Sequence, residues 1–185
     1  MTVKISELPG GLRVVTDRME AVETVSLGVW VGIGTRHEAA EVNGISHLLE
    51  HMAFKGTDRR SAKEIASEIE AVGGHLNAYT SRENTAYYAK VLKDDAGLGL
   101  DLIADILQNS VFDPEELERE RAVVLQEIGQ SHDQPEERVF DNFQATAYRD
   151  QPVGRPVLGR PEVIRVISRD AVIDYMRTCY LAPRM

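Results

Sequence analysis

At Gly73-Gly74 the hydrophobic period of this chain switches from that of a helix to that of a strand, and this switch limits the fold more than any other feature. Upstream, Ser61 and Glu64 form a capping box for a helix running to residue 72. Downstream, residues 75–80 and 85–92 are rich in Tyr, Thr and Val around Ser81-Arg82-Glu83-Asn84, the pattern of an antiparallel hairpin. The same mixture recurs along the chain. Short β-prone runs at 3–8 and 12–16 flank Pro9-Gly10-Gly11, and an apolar run at 24–33 predicts a third strand. Helices are predicted over 95–108, 113–129, 135–148 and 168–180, with a loop at 149–159 carrying Pro152, Gly154 and Pro156. Strands and helices that do not alternate strictly point to an α+β fold, a largely antiparallel sheet with helices packed on one face.

The 185 residues suit a single domain, 1–185, and show no internal repeat or linker. With 43% hydrophobic and 28% charged residues, the composition is that of a globular protein rather than a disordered one. A formal net charge of −9 weighs against nucleic acid as a partner. One cysteine, Cys179, excludes an internal disulfide and reads as a small buried side chain. There is no run of about 20 apolar residues to span a membrane and no apolar signal core at the start. A cytoplasmic location follows as the expectation, with the mitochondrial matrix the alternative had a targeting segment been removed.

Between residues 43 and 55, Ile45, Leu48, Leu49, Met52 and Phe54 recur at helical spacing, with Asn43 or Ser46 as the cap and Gly56 as the stop. This helix carries His47-Leu48-Leu49-Glu50-His51. Two histidines four apart share one face, so both imidazoles can reach one ion of the zinc type. Glu50 leans toward the same side, where a carboxylate can accept a proton from water. The order is that of an inverted zincin motif. A solvated face of an amphipathic helix accounts for the same residues about equally well, and a third ligand would decide between the two.

The third ligand is sought on the charged helix at 113–129. Glu115, Glu116 and Glu118 lie in its first turns, where they suit the helix dipole and read as solvated. Glu127 lies near the other end, where a carboxylate gains nothing from the dipole, and Glu120 is two turns earlier on nearly the same face. Spacing alone leaves open a solvated face or a ligand with its supporting residue. His75, His37 and His132 have no partner spacing and read as ordinary polar histidines.

His47-x-x-Glu50-His51 followed after 75 intervening residues by Glu127 resembles the zinc signature of the pitrilysin family of inverzincin metallopeptidases. The likeness continues through Gly44-Ile45-Ser46, Met52-Ala53-Phe54-Lys55-Gly56-Thr57 and Leu76-Asn77-Ala78-Tyr79-Thr80-Ser81-Arg82-Glu83. The loop Pro152-Val153-Gly154-Arg155-Pro156-Val157-Leu158-Gly159 is similar to the processing-peptidase branch.

That resemblance implies one Zn²⁺ per chain, held by His47, His51 and Glu127, with Glu50 as general base and Glu120 as support. It implies that Asn77 and Ala78 lie on a strand edge that takes substrate peptide by β-augmentation. It also implies that Phe54 helps line a substrate pocket, although a core aromatic is as good a reading of that residue. The activity implied is zinc-dependent endopeptidase hydrolysis of peptides or presequence-like substrates. The resemblance further implies a homologous second half, in the same chain or a partner, that supplies the oxyanion donors. The chain is accordingly expected to be an N-terminal domain with little activity by itself, prone to self-association through the face that meets the other half. A non-catalytic scaffold, or a peptide-binding subunit needing such a partner, is the alternative. Residues 94–141 hold 14 acids against Arg119, Arg121 and Arg138, a local charge of −11, so basic peptides are the expected preference.

Overall fold

A computed structural model describes residues 3–185. Strand β1 (Val3–Glu7) pairs antiparallel with β2 (Arg13–Asp17), and this hairpin forms a sheet of its own. Strands β3 (Thr24–Val31), β4 (His75–Thr80) and β5 (Thr85–Leu92) form a second antiparallel sheet in the order β3-β5-β4. The antiparallel expectation holds, but the strands divide into two sheets. The third strand stops short of residue 33 because the chain turns away at Gly32, whose N–H donates to the carbonyl of Arg184 at 2.7 Å.

The helices are α1 (Ile45–Ala53), α2 (Ala62–Ala71), α3 (Ala96–Gln108), α4 (Pro114–His132), α5 (Pro135–Ala147), α6 (Pro161–Ile164) and α7 (Arg169–Cys179). Ser61 and Glu64 make the expected capping box at α2, and Asp113 accepts from the N–H groups of Glu115 and Glu116 at α4. Helix α4 continues past the predicted end at Gly129 to His132. The one-turn α6 was not anticipated. It starts at Pro161, and the buried Arg121 guanidinium takes the carbonyls of Ile164 and Ile167 at its end.

Two apolar clusters meet at α1. Ala53 at its end packs with Ile65 of α2, Ala78 of β4, Tyr87 and Ala89 of β5, and Ile103 and Ile106 of α3. Its other apolar side chains, Ile45, Leu48, Leu49 and Met52, pack against Leu117, Val124 and Ile128 of α4, Ile164 of α6 and Val172 of α7. Each fully buried side chain of this size stabilises the fold by about 1.5–3 kcal/mol. Packing on both sides fixes the rotation of α1, and with it the direction of its polar face. Away from that face, Arg60 at the entry to α2 reaches Glu68 at 3.0 Å, Asp101 at 2.6 Å and the buried Asp105 at 2.8 Å.

Helix α1 begins at neither Asn43 nor Ser46. Its N-cap is Gly44 at φ +97°, a left-handed conformation that suits glycine. A Cβ there would lie 2.7 Å from the Cα of Gly159, itself at φ +84°, so residues 149–159 approach the start of α1 backbone to backbone. Helix α5 contributes no buried residue, and Val139, Phe140 and Phe143 on it are exposed. Cys179 is half-buried rather than fully buried. Among the described residues no helix is long and apolar enough to cross a membrane.

Candidate metal centre

His47 in the first turn of α1 and His51 in its last turn point to the same side, with ring centroids 4.6 Å apart. Across from them, α4 presents Glu127. Its Oε2 lies 3.7 Å from Nε2 of His47 and 3.5 Å from Nε2 of His51. One ligand atom from each of these residues falls within 4.8 Å of the other two. Tetrahedral zinc with bonds of about 2.0–2.1 Å places its ligands roughly 3.3 Å apart, so two imidazoles and a carboxylate at these separations fit the ion after small side-chain adjustments. Burial, together with neighbouring His51, lowers the pKa of His47 to about 4, which keeps that imidazole neutral as a metal ligand requires.

Glu120, one helical face with Glu127, lies behind the histidine pair. Its Oε2 is 2.9 Å from Nδ1 of His51, and its Oε1 accepts from Lys55 at 2.7 Å. Burial opposes ionisation of Glu120, but the hydrogen bonds from Lys55 and His51 outweigh it and hold the carboxyl below its usual pKa. A carboxylate on Nδ1 leaves Nε2 of His51 free to face Glu127. Glu50 lies near enough to His51 and Glu127 to feel their charges, and the hydroxyl of Thr80 on the sheet donates to its Oε2 at 2.5 Å. Burial raises the Glu50 pKa, against the Thr80 hydrogen bond and the nearby His51.

The sequence matches the family described as Insulinase (Peptidase family M16) over residues 13–161. The chain belongs to peptidase family M16. Among M16 relatives it is 47% identical over 182 residues to a protein named as a probable β subunit of the mitochondrial-processing peptidase of Arabidopsis thaliana, matching 98% of this chain and 34% of that one. A protein of Mycobacterium leprae named as an uncharacterized zinc protease is 47% identical over 178 residues, matching 96% of this chain and 40% of the other. The crystal structure of a protease from Helicobacter pylori superposes with a TM-score of 0.93 at 26% identity, over 98% of this chain and 44% of that one. The chain therefore spans less than half the length of these M16 relatives.

The remaining sequence-selected residues of this M16 chain lie outside the His-His-Glu cluster. Asn77 and Ala78 are on β4, which is hydrogen-bonded to β5 on one side and has no strand partner on the other among the described residues. The N–H of Ala78 donates to the side-chain Oδ1 of Asn77 at 2.8 Å. Phe54 lies at the end of α1. Its ring packs 6.3 Å from that of Tyr87, and it also walls a cavity of about 280 Å³ with Ile65, Ile69, His75 and Leu76 between α2 and β4. His75, His37 and His132 lie outside the His-His-Glu cluster.

Thr80 and Lys55 received no role from the sequence, yet Thr80 hydrogen-bonds Glu50 and Lys55 bonds Glu120, the two carboxylates beside the cluster. For Lys55 the signal was present: four residues beyond His51 places it one turn further along the same face. For Thr80 it was not, because the contact joins a strand to a helix 30 residues away in sequence.

Proposed function

We propose that this chain is the metal-binding domain of a zinc-dependent endopeptidase, with His47, His51 and Glu127 as ligands and Glu50 as general base. The observation that carries the reading is the convergence of those three ligand atoms beside a carboxylate held by Thr80. Bound zinc would supply Lewis acidity toward water and the scissile carbonyl. Glu50 takes a proton from the attacking water and returns it to the leaving amine. Its raised pKa favours holding that proton between the two transfers. The Thr80 hydroxyl keeps the carboxylate directed at the site, and Glu120 keeps His51 in the tautomer that presents Nε2.

Substrate peptide would dock in extended form along the open edge of β4, where main-chain groups around Asn77 and Ala78 recognise any sequence. Phe54 and its neighbours would receive a side chain. The acids of α4 and α5 favour basic peptides. The oxyanion donors would come from a homologous second half, in cis or in a partner subunit, in keeping with the greater length of the relatives. We expect the isolated chain to bind one zinc ion and turn over peptides slowly or not at all.

The test has two arms. Metal analysis of the purified chain should give one zinc per chain, lost in His47→Ala. Joined to its homologous half, the protein should cleave peptides in a manner abolished by Glu50→Gln with zinc retained. A chain that binds no zinc, or cleavage that survives Glu50→Gln, overturns the reading.

A further inference from the structure

The two histidines are held in different ways. His51 is oriented through its own ring by Glu120 at 2.9 Å. Nδ1 of His47 is buried with no hydrogen-bond partner among the described residues, so nothing bonded to that nitrogen fixes its ring. The direction of His47 therefore depends on the backbone that carries it, the first turn of a helix only nine residues long. Such a turn is where fraying begins, because its N–H groups have no acceptor within the helix. The usual remedy, an oxygen-bearing side chain at the N-cap, is absent here because the N-cap is Gly44.

Glu38 supplies the acceptor from outside the helix. Its carboxylate is buried, the residue being 2% exposed. Oε2 accepts the N–H of Gly44 at 2.7 Å and the amide of Asn43 at 2.9 Å, and Oε1 accepts the N–H of Ser46 at 2.9 Å. Glu38 is itself anchored, since its carbonyl accepts from the Arg155 guanidinium. The same turn is held from the opposite side, where the Ser46 hydroxyl lies 2.8 Å from the Tyr175 hydroxyl of α7. Burial raises the pKa of Glu38, against the hydrogen bonds from Gly44, Ser46 and Asn43, and the positive end of the helix dipole also favours its charged form.

We propose that Glu38 is a positioning residue for the metal centre, acting as a remote N-cap that sets the phase of the first turn of α1 and so the direction of His47. It does for His47 through the backbone what Glu120 does for His51 through the ring. The inference rests on the metal reading above and extends it to a residue nine positions before the first ligand, with no contact to the ligands themselves.

The test compares the full chain with Glu38→Gln, using Zn²⁺ in competition with a chromogenic chelator and Co²⁺ as a spectroscopic probe. The amide keeps the size of the side chain but loses its charge and one acceptor. Zinc binding should weaken by about tenfold or more, the range seen when groups supporting a ligand are removed. The visible Co²⁺ bands should shift or lose intensity while the far-UV circular dichroism is unchanged. A folded Glu38→Gln chain with wild-type zinc affinity and Co²⁺ bands overturns the positioning role and leaves the metal reading standing. A wild-type chain that binds no zinc overturns both. Should Glu38→Gln fail to fold, hydrogen exchange on the metal-free wild type decides: slow exchange at the amides of Gly44 and Ser46 supports the remote cap, and exchange as fast as an open loop overturns it.

Discussion

Nδ1 of His51 sits 2.9 Å from Oε2 of Glu120, and the other oxygen of that carboxylate is 2.7 Å from the ammonium of Lys55. The three residues form a chain that ends on an imidazole, so under the proposed zinc reading, replacing its middle member tests the metal site without substituting a proposed ligand. Glu120→Gln is expected to weaken zinc binding by about 10- to 100-fold. Chelator competition on the purified chain measures it, and an unchanged affinity would show that Glu120 only neutralises Lys55.

Glu50 is separable from the ligands because its carboxylate turns toward Thr80. In the complete enzyme Glu50→Gln is expected to lower kcat by at least about 10²–10⁴-fold, the usual contribution of a general base, with zinc content unchanged. Thr80→Val should lower kcat less, by removing the hydroxyl that directs the carboxylate, and Thr80→Ser should restore most of the rate. Steady-state kinetics with a fluorogenic peptide distinguish these outcomes from a uniform rise in KM.

Gly44→Ala places a side chain on a backbone at φ +97° and a Cβ 2.7 Å from the Cα of Gly159. The left-handed conformation alone costs about 1–3 kcal/mol, and the contact adds to it. Denaturant titration should show that loss. Gly73→Ala, at φ +64° with nothing within 4 Å of its added Cβ, should cost less and serves as the control.

The pH dependence of stability should carry a signature of Asp105. Burial disfavours its charge, but hydrogen bonds from Asn109, Arg60 and Thr57 outweigh that and hold its pKa below the usual range of an aspartate. A depressed carboxylate stabilises the fold above its unfolded pKa of about 3.9, and the contribution disappears as pH falls through the lower folded value. Asp105→Asn should therefore destabilise the chain at pH 7, by about 2 kcal/mol on the scale of a charged hydrogen bond. The deficit should shrink below about pH 4 as the wild type loses the same charge. Parallel unfolding curves for the two proteins across that range would contradict the assignment.

The elements that were legible in the sequence are those whose signals are local. The capping box of Ser61 and Glu64, the proline after Asp113 and the hairpin around Ser81 to Asn84 all involve residues within a few positions of each other, and all appear in the fold. The side-chain pattern of α1 put both histidines on one face for the same reason. Whether Glu127 faces them depends on how α4 packs against α1 through Leu48, Leu49 and Val124, which spacing cannot give; its position against the helix dipole made it a candidate, and only the family resemblance named it as the ligand. The start of α1 was misread because Asn43 and Ser46 look like caps in isolation. In the fold, the amide of Asn43 and the N–H of Ser46 are both donors to Glu38, so the residues that resembled caps are themselves bound by a side chain further upstream. The separation of the strands into two sheets and the one-turn α6 are likewise tertiary outcomes, the latter stabilised by Arg121 from a helix some forty residues earlier.

The meeting of Gly44 with Gly159 restricts how this protein can change over time. A side chain gained at one position of a packed pair can often be accommodated by trimming the other. Here each residue already lacks a side chain, and each added Cβ would come within 2.7 Å of the opposite Cα. Neither site offers a second-site repair for the other, so the junction can be lost in a single step and recovered only by reversing it.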